Sequence, residues 1–343
     1  MPAEWEPHKA TWLTWPHNPT DWPGKMSSVQ KTYAELAQKL AAAEEVSILV
    51  NSERHEMRAR RYLNQARADL ANIHFYHIPT NRSWIRDYGP VFVADNRTKN
   101  KLKRIMRFRF NGWARYPAHQ KDGSVPLELA HRMKLKMITA KWEKVPLVLE
   151  GGSFDVNGFG TLITTEECLL DRYKQPRNPG ITKSALQKLF REYLGITNVI
   201  WLNKGIEGDD THGHVDDICR FVDRRTMVLA METRSSDLNT SILVENQERL
   251  KQVKLENGTK PTVVTLPMPM PIYFKKWRLP ASYANFYIAN KIVLVPIFND
   301  PADRKALGIL ADLFPARKVI GVRAVDLLIG LGGLHCITLQ EPV

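Results

Sequence analysis

"SFDVNGFGTLITTE", Ser153 to Glu166, is the stretch that sets the architecture. A short run led by Phe enters Asn157-Gly158, a dipeptide that strongly signals a tight hairpin turn. A second run, rich in β-branched and aliphatic residues, follows at once. The layout recurs in "CRFVDRRTMVLAME" (Cys219–Glu232) and "NFYIANKIVLVPIFND" (Asn285–Asp300), with weaker turns at "DRR" and "ANK". "VFVADN" (Val91–Asn96) carries the lead strand of another copy. The leading Phe residues return at intervals of roughly 60 to 70 residues, so the chain repeats one supersecondary layout.

Helical patterns lie between the hairpins. "KSALQKLFREYLG" (Lys183–Gly195) closes on a glycine suited to a helix end. "PADRKALGILADLFP" (Pro301–Pro315) opens and closes on proline. "SVQKTYAELAQKLAAA" (Ser28–Ala43) predicts a further helix, followed by "EVSILVN" as a strand. "NVIWLN" (Asn198–Asn203) and "KVIGV" (Lys318–Val322) predict strands. Each unit therefore reads as hairpin, helix, strand, an α/β pattern that suits units set around a shared centre. No long Gly/Ser/Pro linker interrupts it, so residues 1–343 are expected to form a single catalytic domain.

The totals narrow the function classes. A hydrophobic content of 43%, with nine Trp and twelve Phe spread along 343 residues, supports a substantial core. No stretch reaches the roughly 18 apolar residues of a membrane span. The N-terminus, "MPAEWEPHKATW", lacks the basic start and apolar run of a secretory signal. Three cysteines, Cys168, Cys219 and Cys336, fit a reducing compartment. A cytoplasmic location is expected. The net charge of +13 permits nucleic-acid binding. Yet "RHEMRARRYL" (Arg54–Leu63) and "NKLKRIMRFRF" (Asn100–Phe110) are the only dense basic stretches, and they read as a helix face and an alternating strand. A solvated face explains both, and no nucleic-acid partner is expected. Whether the chain forms a homo-oligomer is left open.

Four loops carry unusual chemistry: "WIRDYGP" (Trp84–Pro90), "LEGGS" (Leu149–Ser153), "GHVDD" (Gly213–Asp217) and "GGLHC" (Gly332–Cys336). The third lies inside "GIEGDDTHGHVDD" (Gly205–Asp217), which holds five carboxylates and two histidines. Three readings stand. On a strand, His212, His214 and Asp216 would share one face and suit a Zn²⁺ hydrolase; against it, His335 is the single histidine after Asp223. The stretch also reads as a solvated acidic loop. Finally, Asp87 and Asp216 would suit a guanidinium, a planar cation best gripped by paired acceptors. Trp84 would then lie against the cation or its alkyl stem, or else in the core. The global positive charge does not forbid this, because screening confines its reach to about 8 Å.

Cys336 is the candidate nucleophile, placed after a glycine-rich loop that lets backbone approach a ligand. Its reactive form is the thiolate. Cys168 ("EECLL") and Cys219 ("ICRFV") read as small core residues.

Taken together, these motifs resemble the agmatine deiminase family of the guanidine-modifying superfamily. The likeness runs through "MPAEWEPH", "SWIRDYGPVFV", "FNGWARYP", "LVLEGGSFDVNGFGTLITTEECLL", "GHVDDICRF", "SYANFYIAN", "FPARKVIGV" and "GGLHCIT". The resemblance implies a five-bladed, pseudo-symmetric α/β propeller of ββαβ-type units, the pentein fold. It implies a small-molecule guanidine, agmatine, as substrate, with no cofactor and no metal. It makes Cys336 the nucleophile and His214 the general acid/base. It gives the grip on the guanidinium to Asp87 and Asp216, and the orientation of the histidine to Glu150. It puts Trp84 along the substrate channel and Asp210 near the remote amine. The chain departs from the family at Asp217, where Asn is common, and at Gly333, where "GLGGLHC" replaces "GGGNIHC". "THGH" stands for "TDGH", and Asp210 for a longer Glu. These changes are expected around the distal end of the substrate.

Overall fold

The computed structural model describes residues 1–95 and 102–343. Asn96, which ends the first repeat, and Asn100, which heads the second basic stretch, lie outside the described residues. The chain divides into two compact units. Unit 1 comprises Met1–Ala3, Asp87–Ile206 and Thr211–Thr265. Unit 2 comprises Glu4–Arg86, Glu207–Asp210 and Leu266–Val343.

Unit 1 repeats one module. Val91–Asp95 pairs antiparallel with Leu102–Arg107, which pairs parallel with Met137–Thr139 across the helix Gln120–Met133. Phe154–Val156 pairs antiparallel with Thr161–Thr165, which pairs parallel with Asn198–Leu202 across the helix Lys183–Leu194. Cys219–Phe221 pairs antiparallel with Thr226–Met231, and Thr262–Pro267 completes that sheet after the helix Leu238–Lys251. A parallel pairing needs a crossover of a dozen or more residues, and the helix supplies it.

The deciding hairpin differs from its expected form in one respect. Its loop runs over four residues, Asn157–Gly160, rather than two. Asn157 keeps a negative φ, so the turn is not the mirror-image type that Asn-Gly favours. Instead its side-chain oxygen accepts from the Phe159 and Thr161 N–H groups at 2.9 and 3.0 Å. Local side-chain bonding of this kind is the other route by which Asn closes a turn.

The helix Lys183–Leu194 forms as its sequence predicts. Thr182 caps it by accepting from the Ala185 N–H, and Gly195 ends it in the left-handed region. Leu186, Leu189, Phe190 and Leu194 line one face and are buried in a core with Leu162, Cys168 and Leu169. Each such side chain contributes about 1.5–3 kcal/mol of burial.

Unit 2 carries two modules. Tyr287–Ile288 pairs antiparallel with Ile292–Ile297, which pairs parallel with Lys318–Arg323 across the helix Ala302–Leu313. The other is closed by the chain ends. Thr338–Pro342 pairs antiparallel with His8–Thr14, which pairs parallel with Glu45–Val50 across the helix Met26–Ala41. Ile73–His77 adds a fourth, parallel strand. The module escaped the repeat pattern in the sequence because its hairpin partners sit at opposite ends of the chain. Among the described residues, no helix is long and apolar enough to cross a membrane.

Candidate active site

Unit 1 brings together Asp87, Glu150, His214 and Asp216, four of the residues expected to do the chemistry. All four are buried. Asp87 lies in the helical turn Ile85–Tyr88, Glu150 precedes the turn Gly151–Ser153, and His214 precedes the turn Val215–Asp217 that contains Asp216. Gly152 marks where they meet. A Cβ built there would stand 2.6 Å from His214 Nδ1, 2.9 Å from Asp87 Oδ1 and 3.0 Å from Asp216 Oδ2. No side chain fits those gaps, and this is the physical content of the "LEGG" motif. The Gly152 N–H also donates to Asp87 Oδ1 at 3.0 Å.

The imidazole of His214 stands between two carboxylates. Nδ1 is 3.7 Å from Asp87 Oδ1, and Nε2 is 3.7 Å from Glu150 Oε2. Thr165 ties the preceding loop to the core: its hydroxyl donates to the Gly213 carbonyl at 2.5 Å and accepts from the Cys168 N–H at 3.1 Å. The cap that starts the helix Glu166–Leu170 thus also sets where His214 begins.

A second buried cation completes the cluster. Arg177 donates Nε–H to Glu150 Oε1 and Oε2 at 3.1 and 3.3 Å, and its other nitrogens donate to the carbonyls of Gln175 (3.0 Å) and Thr211 (2.5 Å). One guanidinium therefore fixes both Glu150 and the approach to His214. On the other flank, Trp113 donates its indole N–H to Asp87 Oδ2 at 2.9 Å.

These contacts move the titrations apart. Burial raises the Asp87 carboxyl, which His214 opposes while Asp216 and Glu150 push it further, to about 6. Burial would also raise Glu150, but Arg177 and His214 hold it below the usual carboxylate range. Burial alone would lower His214; Asp87, a hydrogen bond with Cys168 and Glu150 together raise it well above the ordinary imidazole value. These neighbours favour the protonated imidazole. Asp87 meanwhile feels its neighbours' charge, a repulsion that a bound cation would relieve.

The one-face arrangement expected of a His-x-His-x-Asp zinc motif does not form. It needs a strand, whereas His212 and Gly213 have φ of 63° and 96°. The His212 ring turns to Asp171 (3.3 Å) and Glu167 (3.7 Å), and the His214 ring to Asp87 and Glu150. A different set could hold a metal: ligand atoms of Glu150, Cys168 and His214 lie within 4.8 Å of one another. There Arg177 already donates to both Glu150 oxygens, so its positive charge opposes a second cation. Cys168 packs in the apolar core as expected, yet its sulfur also reaches His214, which its sequence gave no reason to anticipate.

In unit 2, Cys336 lies in the turn before the strand Thr338–Pro342 and is 6% exposed. Its Sγ accepts from Asn285 Nδ2 at 3.3 Å and from the Gly333 N–H at 3.4 Å. Trp84 is buried against Trp22, with ring centroids 5.3 Å apart, and under the glycine loop: Cβ atoms at Gly330 and Gly332 would meet its ring at 2.8 and 2.6 Å. Asp210 is partly exposed, in the segment Glu207–Asp210. Arg177, Trp113 and Asn285 were not singled out from the sequence. Arg177 sits in the ordinary-looking "QPRNPG"; Asn285 lies within "SYANFYIAN", which carries the family likeness, but nothing local marks a sulfur-bound amide.

Fold and residues together define an enzyme of the guanidine-modifying, pentein class. The chain belongs to the Porphyromonas-type peptidyl-arginine deiminase family, whose sequence profile matches residues 1–342. Agmatine deiminase of Pseudomonas aeruginosa is 34% identical, over 100% of this chain and 95% of the relative. Among solved structures, agmatine deiminase of Enterococcus faecalis superposes with a TM-score of 0.90 at 29% identity, covering 100% of this chain and 95% of the other. A Cys-to-Ser agmatine deiminase of C. jejuni with substrate bound gives 0.86 at 28% identity, covering 99% and 95%.

Proposed function

We propose that the protein is a cytoplasmic, metal-independent agmatine deiminase, acting as one catalytic domain over residues 1–343. It hydrolyses agmatine to N-carbamoylputrescine and ammonia, a step toward putrescine. The observation that carries this reading is the convergence of Asp87, His214 and Asp216 on Gly152. Carboxylates in that number suit a cationic substrate, and an imidazole held protonated suits an amine leaving group.

In the proposed reaction, Asp87 and Asp216 accept from the guanidinium nitrogens and keep the group cationic, hence electrophilic. The Cys336 thiolate adds its electron pair to the guanidinium carbon, giving a neutral tetrahedral adduct. His214 gives its proton to one terminal nitrogen, the C–N bond breaks, and ammonia leaves an alkyl-amidino thioether cation. Neutral His214 then takes a proton from water while the hydroxide adds to the same carbon. Collapse breaks the C–S bond and returns the thiolate. The protonated urea passes its proton to ammonia, so agmatine and water become N-carbamoylputrescine and ammonium. Glu150 holds the imidazole through the cycle. Trp84 borders the alkyl stem, and Asp210 receives the remote amine. No Lewis acid is required, because the substrate carries its own charge.

Ammonia release from agmatine, free arginine and an arginyl peptide tests the assignment. Faster release from agmatine, unchanged by a chelator, supports it; faster release from arginine, or chelator loss restored by zinc, overturns it. The cluster of Glu150, Cys168 and His214 favours a second reading, in which Cys168 is the attacking sulfur. Against that, Cys168 is wholly buried among apolar side chains.

A further inference from the structure

We infer that Asn285 is the positioning residue for the Cys336 sulfur. The inference rests on the deiminase reading in so far as the sulfur is the nucleophile.

Which edge of the Asn285 amide faces the sulfur is settled by a third group. The His335 N–H, which only donates, lies 2.8 Å from Asn285 Oδ1. That contact requires the oxygen on the His335 side, and the –NH₂ edge is thereby aimed at Sγ, 3.3 Å away. Oδ1 is also 3.7 Å from Sγ, so the same amide accepts from the thiol and donates to the thiolate. The Gly333 N–H, 3.4 Å from Sγ, adds a second donor. Two neutral donors on a buried sulfur favour its charged form, which burial otherwise penalises.

Gly333 is coupled to this arrangement by space. A Cβ there would fall 2.3 Å from Asn285 Oδ1 and 2.8 Å from its Cγ, so a side chain at 333 would press on the amide and shift it. Gly333 has no left-handed φ, so alanine is acceptable to the backbone, and the clash with Asn285 alone decides the effect.

Tyr33, His335, Glu4 and Arg86 are titratable or charged groups around this sulfur in unit 2. Tyr33, from the helix Met26–Ala41, has its phenol pushed up by burial and then by Asp21. His335, one residue before the cysteine, turns its Nε2 to Glu4 Oε2 at 2.8 Å, and Arg86 bonds the His335 carbonyl and Glu4.

The test is the pH dependence of Cys336 alkylation by iodoacetamide in the full-length protein without substrate, read by peptide mass spectrometry. Asn285→Ala is expected to raise the titration midpoint by about one unit, the loss of one hydrogen bond to a charged group. Asn285→Asp should raise it at least as far, because a carboxylate faces the sulfur. Gly333→Ala leaves Asn285 in the chain and should shift the midpoint in the same direction. The double variant Asn285→Ala/Gly333→Ala should move no further than Asn285→Ala alone. Near-ultraviolet circular dichroism identifies which variants fold; Gly333→Ala keeps the test decisive if Asn285→Ala does not. An unchanged midpoint in folded Gly333→Ala overturns the inference, whatever the enzyme's turnover. Conversely, a shifted midpoint in a protein that releases ammonia from no guanidine upholds the placement of Asn285 and defeats the deiminase reading.

Discussion

The two units serve their reactive groups by opposite means. In unit 1 the imidazole is surrounded by charge: Asp87 and Glu150 face it, and Arg177 stands behind Glu150. In unit 2 the sulfur is met by neutral donors, an amide and a backbone N–H, in room kept clear by glycine. The difference matches what the proposed reaction asks of each group. A proton donor is made by raising a pKa, and neighbouring carboxylates do that most strongly. A thiolate needs the reverse, and carboxylates beside it would suppress the charge it has to carry.

The largest break in this comparison is removal of the sulfur. Cys336→Ala should lower agmatine turnover by ~10⁴-fold or more, whereas Cys168→Ser should cost far less, both measured by ammonia release. Next comes the charged side. His214→Gln should cost on the order of 10²–10⁴-fold in kcat, the usual worth of a general acid/base. Gly152→Ala should approach the lower end of that range without altering any reacting group. Its Cβ would press within 2.6 Å of His214 Nδ1, and misplacement near 1 Å costs ~10²-fold.

Smaller effects sharpen the electrostatics. The acid limb of kcat/KM should report Asp87 in the free enzyme, falling as pH drops through about 6. The limb of kcat should lie lower, since bound guanidinium favours the carboxylate; coincident limbs would argue against Asp87 in the grip. Arg177→Met leaves Glu150 buried without its guanidinium and should destabilise the fold by ~3–5 kcal/mol in urea unfolding. His214 has its folded pKa raised, so its stabilisation is complete below the unfolded value and is lost as pH climbs through the folded one. Glu150 is the opposite case: its folded pKa is depressed, and its contribution fades as pH falls through it. His214→Gln should accordingly flatten the decline of the wild-type urea midpoint above the unfolded imidazole pKa.

The same contrast explains what could be read from the sequence. The hairpins at Phe154–Thr165 and Tyr287–Ile297 were legible because their strands are neighbours and their turns hold Asn. The pairing of Thr338–Pro342 with His8–Thr14 was not, because register between chain ends leaves no local pattern. Asp87, Glu150, His214 and Asp216 stood out as ionisable residues in short glycine-bearing motifs. Arg177 and Asn285 did not: their importance comes from distances of about three ångströms to residues remote in the chain.

The central claim is that the Cys336 sulfur attacks the guanidinium carbon of the substrate. Quenching the enzyme during agmatine turnover and weighing its cysteine peptides tests this most directly. The account predicts agmatine minus ammonia on the Cys336 peptide, with Cys168 and Cys219 unmodified. An adduct on Cys168, or steady ammonia release from Cys336→Ala, would contradict it.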